Sequence, residues 1–184
     1  YISIWAQTKD IMLKSPNEEV SITFRTNDAK LEYEVSYKGK LLLEPSALGL
    51  ELQGGRTLGE NVSIVNTTTS EGEDNYKLIT GRTNAVSEKY NAIRLEIAET
   101  TGHKRKMNIE ARAYNDAVAF RYIVPEQTLL TEYRLKNEKT EFRLSKDAMS
   151  YALVLPNFKS GYESEYHRVP VSGLANQGGV ASKY

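Results

Sequence analysis

The residues best suited to chemistry lie near the end of the chain. In YESEYHRVPVS, residues 162–172, Glu163 and Glu165 stand two apart between Tyr162 and Tyr166, and His167 follows. Side chains alternate along an extended backbone, so both carboxylates would face one way and both phenols the other. Carboxylate oxygens are the donors a hard cation such as calcium selects, about six to eight at a time. A carboxylate next to an imidazole is also the pairing used for proton transfer, which makes His167 with either Glu a second reading. Spacing does not choose between these, because a solvated acidic loop has the same composition.

The remaining candidates are less specific. His103 heads the basic turn HKRK at 103–106, which reads as an exposed hairpin tip. Trp5, Tyr162 and Tyr166 have aromatic faces of the kind that stack on the C–H faces of sugars, but with 12 Tyr in the chain most must be ordinary sheet residues. The chain has no Cys, which excludes disulfides, thiolate zinc sites and a cysteine nucleophile. Gly54-Gly55 and Gly178-Gly179 lack the spacing of a phosphate-binding loop, and no G-x-S-x-G elbow is present. The 24 basic residues balance the 24 acidic ones, so no overall field draws the chain to nucleic acid or an anionic membrane surface. No apolar run approaches the roughly 20 residues that span a bilayer.

The elements that must position these residues read as strands. Val20, Ile22 and Phe24 share a face, as do Leu31, Tyr33, Val35 and Tyr37 before a Lys38-Gly39 turn. Similar alternation marks 62–65, Ile93 to Ile97, and Phe142 with Leu144, and a short apolar run spans 151–155. The clearest case is MNIEARAYNDAVAFRYIVPEQ at 107–127. Met107, Ile109, Ala111 and Ala113 line one face of its first run, and Val118, Phe120, Tyr122 and Val124 line one face of its second. Asn115-Asp116 forms the turn between the runs. Gly54-Gly55 and the polar stretch from Asn66 to Asn75 read as loops, and the small polar tail 173–184 reads as a linker or lid. No window favours helical periodicity. The expectation is an all-β, antiparallel double sheet over residues 1–172, with few or no helices.

The wording of several segments resembles the N-terminal domain of glycoside hydrolase family 97, bacterial α-glucosidases and α-galactosidases. YNDAVAFRY at 114–122 is similar to that family's YND-G-VAFRY signature. LEYEVSYKGKLLLEPSALGLEL at 31–52, SPNEEVSITF at 15–24, EKTEFRL at 138–144 and YESEYHRVPVS at 162–172 follow in the family's order. One departure is Ala117, where the family commonly has Gly. If that position is left-handed, Ala costs on the order of 1 kcal/mol.

The resemblance implies a galactose-mutarotase-like β-supersandwich that precedes a catalytic (β/α)8 barrel, with 173–184 leading towards it. The barrel's repeated strand–helix units are not in this sequence. The resemblance also implies a Glu donated from this domain to an active-site calcium, and the YE of YESEY places that role on Glu163. The implied partners are carbohydrate and the chain's own barrel, and the chain alone is expected to be inactive. The implied compartment is periplasmic or secreted. Tyr1 in place of Met, with no leader, reads as a segment whose targeting signal has been removed. In such a bacterial protein the sequons at Asn61 and Asn66 carry no meaning. The rival reading is a stand-alone carbohydrate-binding or interaction module. A mutarotase-like enzyme working through Glu and His167 is a third.

Overall fold

The computed structural model describes residues 10–178 except 56, 82 and 158. Trp5 and the tail from Gly179 onward lie outside the described residues. The chain divides into two compact units, one ending at Arg143 and the other beginning at Leu144. Among the described residues, no helix is long and apolar enough to cross a membrane.

The first unit is an antiparallel sandwich. Its first sheet joins β1 (Ile11–Lys14), β2 (Val20–Asn27), β3 (Lys30–Tyr37) and β4 (Lys40–Ala47) in sequence order. Short strands β5 (Leu50–Leu52) and β6 (Thr57–Leu58) follow. The second sheet is built from β7 (Val62–Lys77), β8 (Ala85–Glu99), β9 (Lys106–Tyr114) and β10 (Val118–Ile123), ordered β10-β9-β8-β7. A later strand, β11 (Leu135–Glu138), pairs with β5 to complete a small third sheet. In the second unit β12 (Met149–Leu153) pairs with β13 (Tyr166–Pro170), and a short 3-10 helix (Val171–Asn176) follows.

The two four-stranded sheets form a sandwich because their alternating apolar faces meet. Ile22, Phe24, Leu31 and Tyr33 from the first sheet share one buried cluster with Ile93, Leu95, Ile97, Met107, Ile109, Ala111 and Ala113 from the second. Phe120 and Tyr122 pack against its margin. Burying each large aliphatic side chain contributes roughly 1.5–3 kcal/mol, so this interior is the main source of stability.

Two tight turns fix register in the first sheet. Lys38 and Gly39 both take positive φ, as the two-residue hairpin between β3 and β4 requires. Asp28 and Ala29 do the same between β2 and β3, with φ of 47° and 59°. Ala117 is not left-handed; the Tyr114 N–H closes its turn onto the Ala117 carbonyl at 2.8 Å. The penalty considered for Ala117 therefore does not arise, and the comparable strain falls on Ala29 instead.

Two sequence expectations need correcting. The polar run from Asn66 to Asn75 is not a loop; it is the body of β7, paired residue by residue with β8. Thr is a good strand former, and an edge strand with both faces wet needs no apolar alternation. Phe142 lies in no regular strand, and its neighbours are held instead by backbone bonds to β4, from Glu141 N–H to the Ala47 carbonyl and from Glu44 N–H to the Arg143 carbonyl.

Candidate functional site

The acidic candidates sit in the second unit, in the connection between β12 and β13. Pairing of Tyr151 with Arg168 and of Leu153 with Tyr166 fixes the ribbon's register. Because paired residues share a face, Met149, Tyr151, Leu153, Tyr166, Arg168 and Pro170 line one side. Tyr151 and Tyr166 are 68% and 65% exposed there. Asp147 anchors the short helix beyond the ribbon. It accepts the Ser172 backbone N–H at 2.9 Å and the Ser172 hydroxyl at 2.7 Å. These two bonds hold the Asp147 carboxyl below its ordinary range.

Glu163 and Glu165 precede β13, and both are exposed. Tyr162 just before them takes a left-handed backbone, φ 57°, and its N–H reaches the Ser160 hydroxyl at 3.4 Å. For a bulky residue that conformation costs about 1–2 kcal/mol, and such strain often accompanies functional positions. Residues 163–165 carry no strand pairing, so the shared orientation expected of an extended run is not imposed by a sheet. The imidazole of His167 turns to the short helix, with Nδ1 3.3 Å from Gln177 Oε1. Gln177 in turn donates to the Gly173 carbonyl. His103 is exposed at the tip between β8 and β9.

Among the described residues, no group of three or more His, Asp or Glu converges on a point. Glu163 offers an oxygen donor of the right chemistry for a hard cation, but one carboxylate supplies only a fraction of the about six to eight donors calcium takes. Glu163 by itself therefore does not make a calcium site. The first unit has clefts of its own. One, of about 410 Å³, is bordered by Lys30, Glu60, Lys139 and Glu141; another, of about 330 Å³, by Tyr90, Arg94, Glu110 and Arg112. None of Glu163, Glu165, His103 or His167 lines either of them.

The YNDAVAFRY segment belongs to the scaffold. Tyr114 donates its hydroxyl to Asp74 at 2.7 Å. Asn115 accepts the Asn17 backbone N–H at 3.0 Å, clasping the β9–β10 turn to the β1–β2 turn. The ring of Phe120 meets Tyr33 edge-on at 5.2 Å, Arg121 pairs with Glu110, and Tyr122 shares a hydrogen bond with Thr140. Sequence reading missed two polar clusters. Arg112 lies 4.2 Å over the Tyr90 ring and binds Asp74 at 2.9 Å. Arg105, read as part of an exposed basic tip, is buried and pairs with Glu99 at 2.6 Å. The available signal was the position of Glu99 at the end of β8, opposite the start of β9.

A two-layered antiparallel sandwich, with its chemistry-bearing acids in an appended loop, defines the class: a β-supersandwich domain. The model of the glycosyl-hydrolase 97 N-terminal family matches residues 13–182, and the chain belongs to that family. The chain is 26% identical over 166 residues to a retaining alpha-galactosidase of Bacteroides thetaiotaomicron, a match covering 90% of this chain and 23% of that protein. It is similar in structure to a glycoside hydrolase family 97 enzyme of Pseudoalteromonas sp. strain K8 in complex with acarbose, with a TM-score of 0.79 and 22% identity, over 87% of this chain and 24% of that one. A beta-arabinopyranosidase matches with a TM-score of 0.75 and 25% identity, over 86% of this chain and 26% of that one. The chain therefore spans about a quarter of the length of these relatives.

Proposed function

We infer that this domain is the non-catalytic N-terminal part of an α-glycosidase, packing on a (β/α)8 barrel, helping to shape a carbohydrate pocket and lending Glu163 to a calcium ion. Family membership over nearly the whole chain carries this reading, together with relatives about four times as long whose names are those of glycosidases. When bound, the ion would supply positive charge that orients carboxylates and stabilises developing negative charge. The domain's own part is to hold a carboxylate at the end of a strained turn, where Tyr162 fixes the direction of the chain entering Glu163. The expected compartment is periplasmic or secreted.

The purified 184-residue chain should leave nitrophenyl glycosides intact; measurable turnover would overturn the reading. In the longer polypeptide, Glu163→Gln should weaken calcium binding about tenfold or more by calorimetry while leaving the melting of this domain unchanged. Unaltered calcium affinity would remove Glu163 from the site.

One observation favours a second reading. The exposed Tyr151 and Tyr166 on one face of the β12–β13 ribbon suit a glycan-binding platform that catalyses nothing. Retardation of the chain in glycan-containing gels, lost on Tyr151→Ala with Tyr166→Ala, would support that module; unchanged migration would rule it out.

A further inference from the structure

The β12–β13 ribbon has little packing to hold it in shape. Two-stranded ribbons are marginal in water without a packed face. Among the described residues of this unit only Leu155 is buried, and Met149, Tyr151 and Tyr166 are half or more exposed. The pairing therefore depends on polar ties. The ladder runs from Leu153 with Tyr166 to Met149 with Pro170, and the Ser150 hydroxyl adds a bond to the Val169 carbonyl at 2.7 Å. Past the last rung the same register continues. Val171 donates its N–H to the Ala148 carbonyl, and Asp147 stands opposite Ser172.

At this point β13 ends and the short helix begins. The first N–H groups of a helix need acceptors, and the side chain of the N-cap residue usually supplies one. Here that residue is Pro170, whose side chain makes no such bond. Asp147, on the other arm of the ribbon, takes the role instead. One carboxylate oxygen accepts the Ser172 N–H, and the other accepts the Ser172 hydroxyl. The far end of the helix is tied as well. Gln177 donates to the Gly173 carbonyl, and its Oε1 lies 3.3 Å from His167 on β13.

We propose that Asp147 is a positioning residue, a latch that closes the root of the ribbon and so sets the placement of the connection carrying Glu163. The latch stands on the geometry just given; its reach to Glu163 rests on the function proposed above. The connection from 154 to 165 hangs between the two strands, so it is fixed only as firmly as their ladder. That ladder has five rungs and is open at the root, where Asp147 sits. A short ladder with so little buried beneath it opens from its free end, and the clasp on Ser172 opposes that opening. The same clasp fixes the course of the chain as it turns from β13 into the helix.

Amide hydrogen exchange on the 184-residue chain tests the latch. Asp147→Ala should speed exchange at Val171, at Ser172 and along the β12–β13 ladder by about fivefold or more, with the β8–β9 ladder unchanged. Ser172→Ala keeps the backbone bond and loses the hydroxyl one, so its effect should be smaller. Asp147→Asn still offers an oxygen to the Ser172 N–H and should recover most of the protection. Unchanged exchange in Asp147→Ala, or equal loss in both units, would overturn the latch and leave the reading of Glu163 standing. In the longer polypeptide, Asp147→Ala should lower kcat/KM for a nitrophenyl glycoside several-fold. Combined with Glu163→Gln it should lose no more than Glu163→Gln alone, because both act through one point. Simple additivity would overturn the link to Glu163. Full activity in Glu163→Gln would overturn the proposed function instead, and the exchange rates would still decide the latch.

Discussion

Tyr33 shows how one side chain can tie several parts of the sandwich together. It is fully buried, its hydroxyl donates to the Glu141 carbonyl at 2.8 Å, and its ring meets Phe120 and Phe142 edge-on. Burial pushes its phenol, and that of Tyr122, up to about 12 from the ordinary 10.0. A raised phenol stays protonated in the fold while the unfolded chain ionises. The stability these groups add is therefore complete below pH 10.0 and is lost as pH rises towards 12. Urea unfolding followed across that window should show stability falling with pH, and Tyr33→Phe with Tyr122→Phe should flatten the fall. Each substitution costs about 1 kcal/mol at neutral pH through its lost hydrogen bond. The Glu99–Arg105 pair tests a different cost. Glu99→Ala alone should destabilise by about 3–5 kcal/mol in chemical denaturation, because Arg105 stays buried without its carboxylate, whereas replacing both by apolar residues of similar volume should approach neutrality.

At the scale of elements, the hairpin at 107–124 was legible because its alternation is strict and one face is deeply buried. Met107, Ile109, Ala111 and Ala113 are all 2% exposed or less, so no other register would satisfy the core. Ile109→Ala should cost about 2–5 kcal/mol in urea titrations without changing the m-value. β7 was illegible for the opposite reason: its partner β8 carries the apolar signal, and its own Gly72 reads as a loop residue. That glycine leaves room for Tyr90, whose hydroxyl and ring would lie within 2.5 Å of any added Cβ. Gly72→Ala should therefore displace the Tyr90 ring, which loss of its ring-current shifts on nearby protons would report. Ala117 and Ala29 teach a related lesson. Turn strain depends on backbone angles that alanine does not advertise, so the family comparison drew attention to the wrong turn.

For the molecule as a whole, composition set real limits. The balanced charge and a pI near 7.0 leave little colloidal repulsion at neutral pH. Solubility in a precipitation assay should be lowest near pH 7 and rise on either side; a minimum elsewhere would mean that unequal ionisation in the fold outweighs the formal charges. The candidate site was less legible than the fold. Glu163 could be named from its neighbours in sequence, yet its exposure and the single carboxylate it offers follow from an irregular connection that periodicity cannot read.

One tie in the second sheet has mechanical meaning. From β9, Arg112 and Tyr114 reach over β8 to grip Asp74 on β7, beyond the last rung that β9 supplies. This strut braces the β7–β8 hairpin where it runs past the end of β9, so lifting the hairpin also loads the end of β9. A pull at the hairpin's tip is thus passed to the sandwich interior.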